Sequence, residues 1–320
     1  MNKIFSVGTG TCFCLTLLAV RVLAQAPEKP TPAGVSSSSV ESALELAAKG
    51  HCQQALPTLK KSTSRIHDKD LKYRAAMATA RCAMSLDQEE TAVQALWMLG
   101  REFPSDPQAL YIATHYYSEL ATRASQRLAT IAPSSYQTHE LEAEADESQG
   151  KWNDALAEYN QILQQNPNLP GIHYRMGRVR LSGPQTATST DEAVHEFEAE
   201  LKIDPHNASA EFFLGEIARR AGQWTDAVPH FAGAADLDPG FSEAFLALGM
   251  SLNSAERFPE AIAPLEKYVK MEPSDPAGHY QLSISYARTG RKDDATREMA
   301  IQQEIARKNP GGSPNGSVPR

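Results

Sequence analysis

The sequence predicts an all-α chain, a right-handed superhelical solenoid of antiparallel helix pairs. Three observations predict it. Ala155, Ala193, Ala227, Ala261 and Ala295 stand 38, 34, 34 and 34 residues apart. Pro167, Pro205, Pro239 and Pro273 keep the same steps, each twelve residues behind its alanine. Between these markers apolar residues recur at intervals of three and four, the period of a helix with one buried face. A fixed period of this length marks stacked helix pairs, each burying its apolar face only against its neighbours.

In chain order, residues 1–24 have the layout of a secretory signal peptide. Lys3 gives a positive start, an uncharged and mostly apolar stretch runs from Ile4 to Val20, and small residues follow at Val22 and Ala24. Pro27 would hinder cleavage after Ala26, so cleavage after Ala24 is expected, leaving Gln25 first. An uncleaved anchor is the alternative, although the stretch is diluted by Gly8 and Gly10 and falls short of the ~20 apolar residues a spanning helix needs. Loss of this segment would remove Lys3 and Arg21 and shift the net charge from −8 to −10. An exported protein, periplasmic or extracellular, is expected, with no stable membrane insertion after cleavage. Residues 25–39 (QAPEKPTPAGVSSSS) read as a Pro/Ser-rich flexible linker, and 310–320 as a disordered tail.

From Tyr136 on, the pattern is read unit by unit. Leu141 opens the apolar pattern of a helix that stops near Gly150. Lys151-Trp152-Asn153-Asp154 open a second helix carrying Ala155, Leu156, Tyr159, Ile162 and Leu163, which Pro167 ends. Five such units are expected at 136–169, 170–207, 208–241, 242–275 and 276–309. Gly177, Gly215, Gly249 and Ser283 form a column of small residues where two helices approach closely. Tyr159, Phe197, Phe231, Leu265 and Met299 form a column of large ones, read as core, and Trp152, Trp224 and Phe258 form another.

These columns resemble the tetratricopeptide repeat, a helix–turn–helix of 34 residues with small residues at the helix crossing, an aromatic near the second helix and a closing proline. The second unit departs from it: Leu181–Thr190 holds four extra residues. This stretch is expected to protrude as a polar loop, with Thr190 or Asp191 capping the next helix.

Residues 40–135 read as degenerate repeats of the same kind. Gly50 and Ala55 repeat the five-residue spacing of Gly150 and Ala155. One pair is expected over Ser36–Asp68 and a second over Leu71–Phe103. A short third, Pro107–Pro133, reads as two helices, Gln108–Leu120 and Thr122–Ala132. One continuous superhelix is expected, with a kink or seam near Pro133.

Cys12 and Cys14 belong to the leader, leaving Cys52 and Cys82. Cys52 should open the second helix of the first pair and Cys82 should lie near the end of the next helix. Neighbouring helices run antiparallel, so the two can meet in a disulfide, which an oxidising compartment permits. Two separate buried thiols are the alternative.

The sequence offers no constellation for catalysis, a cofactor or a metal. His139-Glu140 and His195-Glu196 resemble the start of a zinc-protease motif, but Ala143 and Ala199 stand where a second histidine is needed. No Gly-x-Ser-x-Gly elbow or phosphate-binding glycine loop occurs. The nine histidines are scattered. Glu140, Glu142, Glu144, Asp146 and Glu147 read as a solvated face. With a net charge of −8 and no basic patch interleaved with aromatics, nucleic acid is not an expected partner.

The resemblance implies that the first helix of each pair lines a concave groove that takes a peptide. It places Tyr174, Arg178, Phe212, Glu216, Arg219, Met250, Asn253, Tyr280 and Arg288 there, with Tyr174, Phe212 and Tyr280 alternatively packed between repeats. The implied function is a non-enzymatic protein–protein interaction scaffold of the cell envelope, serving assembly of an envelope or secretion complex. The alternative is an accessory subunit of a polysaccharide- or peptidoglycan-handling system. Self-association is also open.

Overall fold

The computed structural model describes residues 37–308. The expected leader, nearly all of the linker and the tail lie outside the described residues. Within them every regular element is helical, and no helix is long and apolar enough to cross a membrane. The fold is an all-α, tetratricopeptide-like solenoid in which helices pack in sequential pairs. The described residues divide into two compact units, the first ending at Ala121 and the second beginning at Thr122.

The first unit holds α1 (Ser37–Ala48), α2 (Cys52–Ser62), α3 (Lys69–Ser85), α4 (Glu89–Glu102) and the first half of α5 (Pro107–Ile131). The turn between α1 and α2 passes through Gly50 at φ +81°, and that between α3 and α4 through Asp87 at φ +56°. Both lie in the left-handed region that lets a chain leave one helix and reverse into the next. Val40, Ala43, Leu56, Leu59, Ala75 and Cys82 share one core. The sulfurs of Cys52 and Cys82 are bonded, tying the first residue of α2 to the last turn of α3. Asp68 caps α3 by accepting from the Leu71 amide at 2.7 Å.

α5 is a single helix of 25 residues, not the two expected. The reason is local. Every other reversal but one needs a left-handed residue five positions before its marker alanine: Gly50, Asp87, Gly150, Gly222, Glu256 and Gly290 all have positive φ. The run from Gln108 to Ala132 contains neither Gly nor Pro, so nothing stops the helix until Pro133.

The second unit pairs α6 (Tyr136–Ser148) with α7 (Trp152–Gln165), α8 (Ile172–Ser182) with α9 (Ser189–Ile203), α10 (Ala208–Arg220) with α11 (Trp224–Leu237), α12 (Ser242–Ser254) with α13 (Phe258–Met271) and α14 (Pro276–Arg288) with α15 (Lys292–Lys308). Where the helices of a pair cross, small faces large. A Cβ on Gly215 would lie 2.8 Å from the Phe231 ring, and one on Gly177 would lie 2.7 Å from Phe197. Tyr159, Phe197, Phe231 and Leu265 are fully buried.

The α8–α9 connection is the exception among the reversals. α9 begins at Ser189, so Thr190 and Asp191 lie inside its first turn and neither caps it. The buried Ser189 hydroxyl instead accepts from the Thr186 amide at 2.9 Å, which draws the helix start back into the loop. The extra residues are mostly exposed, with Gly183 set against the Trp152 ring. α8 is capped from its partner helix: the fully buried Glu200 carboxylate accepts from the Gly171 and Tyr174 amides at 2.7 and 3.2 Å.

Candidate peptide-binding face

The first helices of successive units are neighbours in the second unit, α10 beside α12 and α12 beside α14. α8 meets α10 through Tyr174 and Phe213, whose ring centroids are 6.0 Å apart. The face they share is where the candidate residues fall, and the structure divides those residues by role.

Tyr174 and Phe212 pack between repeats. Tyr174 also lies 6.0 Å from Phe197, and Phe212 touches Phe231 and Phe241 at 5.5 and 4.8 Å. Asn253 is buried at the α12–α14 seam. Its Nδ2 donates to the Gln281 carbonyl at 3.0 Å and its Oδ1 accepts from the Ser285 hydroxyl at 2.7 Å. Glu216 is buried beneath a two-pronged pair with Arg219, at 2.7 and 2.8 Å. Those hydrogen bonds hold the Arg219 guanidinium protonated beyond its ordinary range. Arg178 lies half-buried over the Tyr174 ring, 5.9 Å from its centroid. Arg288 lies over the Phe258 ring of α13 at 4.6 Å, engaged with a second helix. Met250 is half-buried, and Tyr280 is exposed at 47%. Arg178, Met250 and Tyr280, with the outer edge of Arg219, are therefore the candidates offered to a ligand.

The acidic run of α6 is largely engaged with neighbours. Glu140 and Glu144 pair with Arg175 of α8 at 3.3 and 2.7 Å. Asp146 meets Lys151, and Glu147 accepts from the Tyr159 hydroxyl at 2.5 Å. Burial and then Glu147 push the Tyr159 hydroxyl well above its usual range. Asn207 caps α10 by accepting from the Ala210 amide.

The histidines hold a pattern that reading the sequence for catalytic motifs missed. His139–Glu158, His173–Glu196 and His279–Glu298 each join the first helix of a pair to the second at 2.6 Å. In the third unit the pair is reversed, with Glu211 on α10 and His230 on α11 at 2.7 Å. Partners lie 19 residues apart in three units and 23 in the second, where the four-residue loop intervenes. The signal was present as two complementary columns at the repeat period. Glu142 adds a third donor beside His139 and Glu158, close enough for one cation to reach all three. Because the same pair recurs in three other units, it is explained as a helix-to-helix tether without an ion. The pairing also engages Glu196 of the second His-Glu dipeptide.

Stacked helix pairs of about 34 residues with alternating small and large crossing residues define an α-solenoid repeat protein. Residues 185–240 and 246–311 match the tetratricopeptide-repeat family, so these stretches carry tetratricopeptide repeats. Among solved structures, MamA aligns at 18% identity over 57% of this chain and 98% of its own, with a TM-score of 0.48. MamA from Desulfovibrio magneticus RS-1 aligns at 20% identity over 54% and 96%, with a TM-score of 0.47. YrrB, described as a tetratricopeptide-repeat protein with an unusual peptide-binding site, aligns at 20% identity over 57% and 92%, with a TM-score of 0.49. No curated protein matches the chain.

Proposed function

We propose that the chain is a non-enzymatic interaction scaffold of the cell envelope that grips an extended peptide segment on the shared face of α8, α10, α12 and α14. The observation that carries this reading is the spacing of Arg178, Met250 and Tyr280 on three of those helices. There a thioether, a phenol and a cation remain accessible, while Glu216 is already paired with Arg219 and Asn253 with Gln281 and Ser285. Aromatic and arginine anchors separated by adaptable apolar surface suit a short peptide segment carrying an acidic residue. Of the three groove aromatics only Tyr280 is exposed, a poor platform for stacking sugars, so the glycan-handling alternative is not favoured.

Export is part of the proposal. The leader-like layout of residues 1–24 and the Cys52–Cys82 bond both suit an oxidising compartment. Pull-down from an envelope extract with crosslinking, followed by a peptide array of any captured protein, tests the reading. Tyr280→Ala with Met250→Ala should weaken the captured peptide's binding about tenfold or more. Capture of nothing above background, or binding indifferent to both substitutions, would overturn it.

A further inference from the structure

The four histidine–glutamate tethers are alike in their central bond, but the one between α6 and α7 carries an added carboxylate. His139 Nδ1 meets the Glu158 carboxylate at 2.6 Å, and that of Glu142, one turn further along α6, lies 4.0 Å from the same nitrogen. The three ligand atoms all lie within 4.8 Å of one another, and among the described residues no other tether is completed in this way. At the repeat period Glu142 shares a column with Met176, Leu214, Leu248 and Leu282. Met176, Leu214 and Leu282 are buried and Leu248 partly so. The tether recurs without a carboxylate at this position, so it does not explain Glu142. The rest of the acidic run has other partners: Glu140 and Glu144 pair with Arg175, Asp146 with Lys151 and Glu147 with the Tyr159 hydroxyl, whereas Glu142 faces His139.

We propose that His139, Glu142 and Glu158 bind one divalent transition-metal cation of the zinc class across the α6–α7 pair. Two carboxylates balance the charge of a dication, and the neutral imidazole is the third ligand. Imidazole suits zinc and its neighbours, whereas calcium and magnesium take oxygen ligands.

The geometry is close to what such an ion requires. Around a cation with bonds of about 2.1 Å, ligand atoms stand roughly 3.0–3.4 Å apart. The 2.6 Å contact must open and the 4.0 Å contact must close, each by about 0.5 Å, which side-chain torsions supply with both helices in place. The cation takes the place of the proton between His139 and Glu158, and the neutral ring then carries its proton on Nε2. The Glu142 side chain is 53% exposed, so the remaining coordination positions are open to water. Bound there, the ion ties two residues of α6 to one of α7, where the other pairs have a single bond.

The test is isothermal titration of the untagged full chain with zinc chloride, carried to about 100 µM free zinc, where a micromolar site is saturated. One ion per chain should bind. Glu142→Gln is the decisive variant. Glu142 is exposed and glutamine is as good a helix former, so the chain should keep its circular dichroism. Loss of a direct ligand should weaken zinc binding about tenfold or more, since even a partner of a ligand is worth that much. Glu144→Gln removes the same charge from the same helix outside the three ligands and should leave binding unchanged. Excess calcium should not displace the zinc. One zinc per chain, weakened by Glu142→Gln and untouched by Glu144→Gln or calcium, supports the proposal. It is overturned if no zinc binds, if binding survives Glu142→Gln, if Glu144→Gln weakens it equally, or if calcium displaces it. The site lies on α6 and α7, apart from the face of α8, α10, α12 and α14, so no outcome depends on the peptide reading.

Discussion

Reduction of the Cys52–Cys82 bond should destabilise the first unit and leave the second alone. The two cysteines are 30 positions apart. Releasing a loop of that size returns about 3.6 kcal/mol of chain entropy to the unfolded state at 25 °C. Reduction is a cleaner perturbation than substitution, because the fully buried Cys82 keeps its place in the core and no cavity opens. With a urea slope of about 1–1.5 kcal/mol per molar for a unit this small, the midpoint should fall by roughly 2.5–3.5 M. Two probes separate the units. Trp152 and Trp224 belong to the second, so in a Trp97→Phe background the fluorescence reports that unit only, while far-ultraviolet circular dichroism reports both. The expected result is a reducing-agent-dependent shift in the circular-dichroism transition with an unmoved fluorescence midpoint. An unchanged circular-dichroism transition, with loss of the bond verified by alkylation and mass, would refute the reasoning.

The remaining predictions rest on packing and ionisation. Gly215→Ala should lower stability by about 1–3 kcal/mol, because the new methyl meets the fully buried Phe231 ring and the ~1 kcal/mol helix-propensity gain is smaller than that clash. Gly233→Ala in the partner helix, with its nearest neighbour at an ordinary 3.5 Å, should instead gain up to about 1 kcal/mol. Urea titrations of the pair should move in opposite directions. His279→Phe should cost about 1–3 kcal/mol, since it strands the largely buried Glu298 and the Pro273 carbonyl. His230→Phe, at the most exposed of the four pairs, should cost under about 1 kcal/mol in the same assay. Burial, aided by Asp106 and Glu266, pushes the Tyr73 and Tyr286 hydroxyls up to about 12. Protonated phenol is therefore favoured in the folded state. Their contribution should be complete below pH 10 and lost as pH climbs from about 10 to about 12. Tyr286→Phe should flatten part of that loss in urea midpoints measured against pH.

The period of the second unit was legible because its markers do physical work that few residues can do. Alanine stands where the second helix crosses the first, and proline where the second helix must stop. The reversal was only half legible. Glycine marks it in four pairs, but Asp87 and Glu256 occupy the same left-handed position in two others. They pass unnoticed in a search for glycine, although each stands five residues before a buried alanine, Ala92 or Ala261. The candidate face was less legible still. Spacing places a residue on a helix face, but it does not say whether that face is already filled by the next repeat. Tyr174 and Phe212 were consumed in that way, and Asn253 by the hydrogen bonds of a seam.

The histidine–glutamate columns show why a chemical reading failed where a periodic one would have succeeded. Taken singly, each histidine has no ligand-like neighbour in sequence, and His-Glu dipeptides suggest a catalytic motif that is not completed. Taken at the repeat period, the first-helix column reads His139, His173, Glu211, Phe245 and His279, and the second-helix column reads Glu158, Glu196, His230, Pro264 and Glu298. Four of the five rows are complementary, and the inverted row preserves the pairing while exchanging the residues. Such an exchange is expected if the requirement is a bond between the helices, whichever of them donates. In the fourth row both members are apolar, and the Phe245 ring is covered instead by the Lys267 ammonium at 3.9 Å. What holds a pair together in this solenoid is therefore a small residue against a large one at the crossing. A second tie nearer the start of the first helix can be ionic, reversed or apolar, because it only closes a pair that the crossing has already aligned.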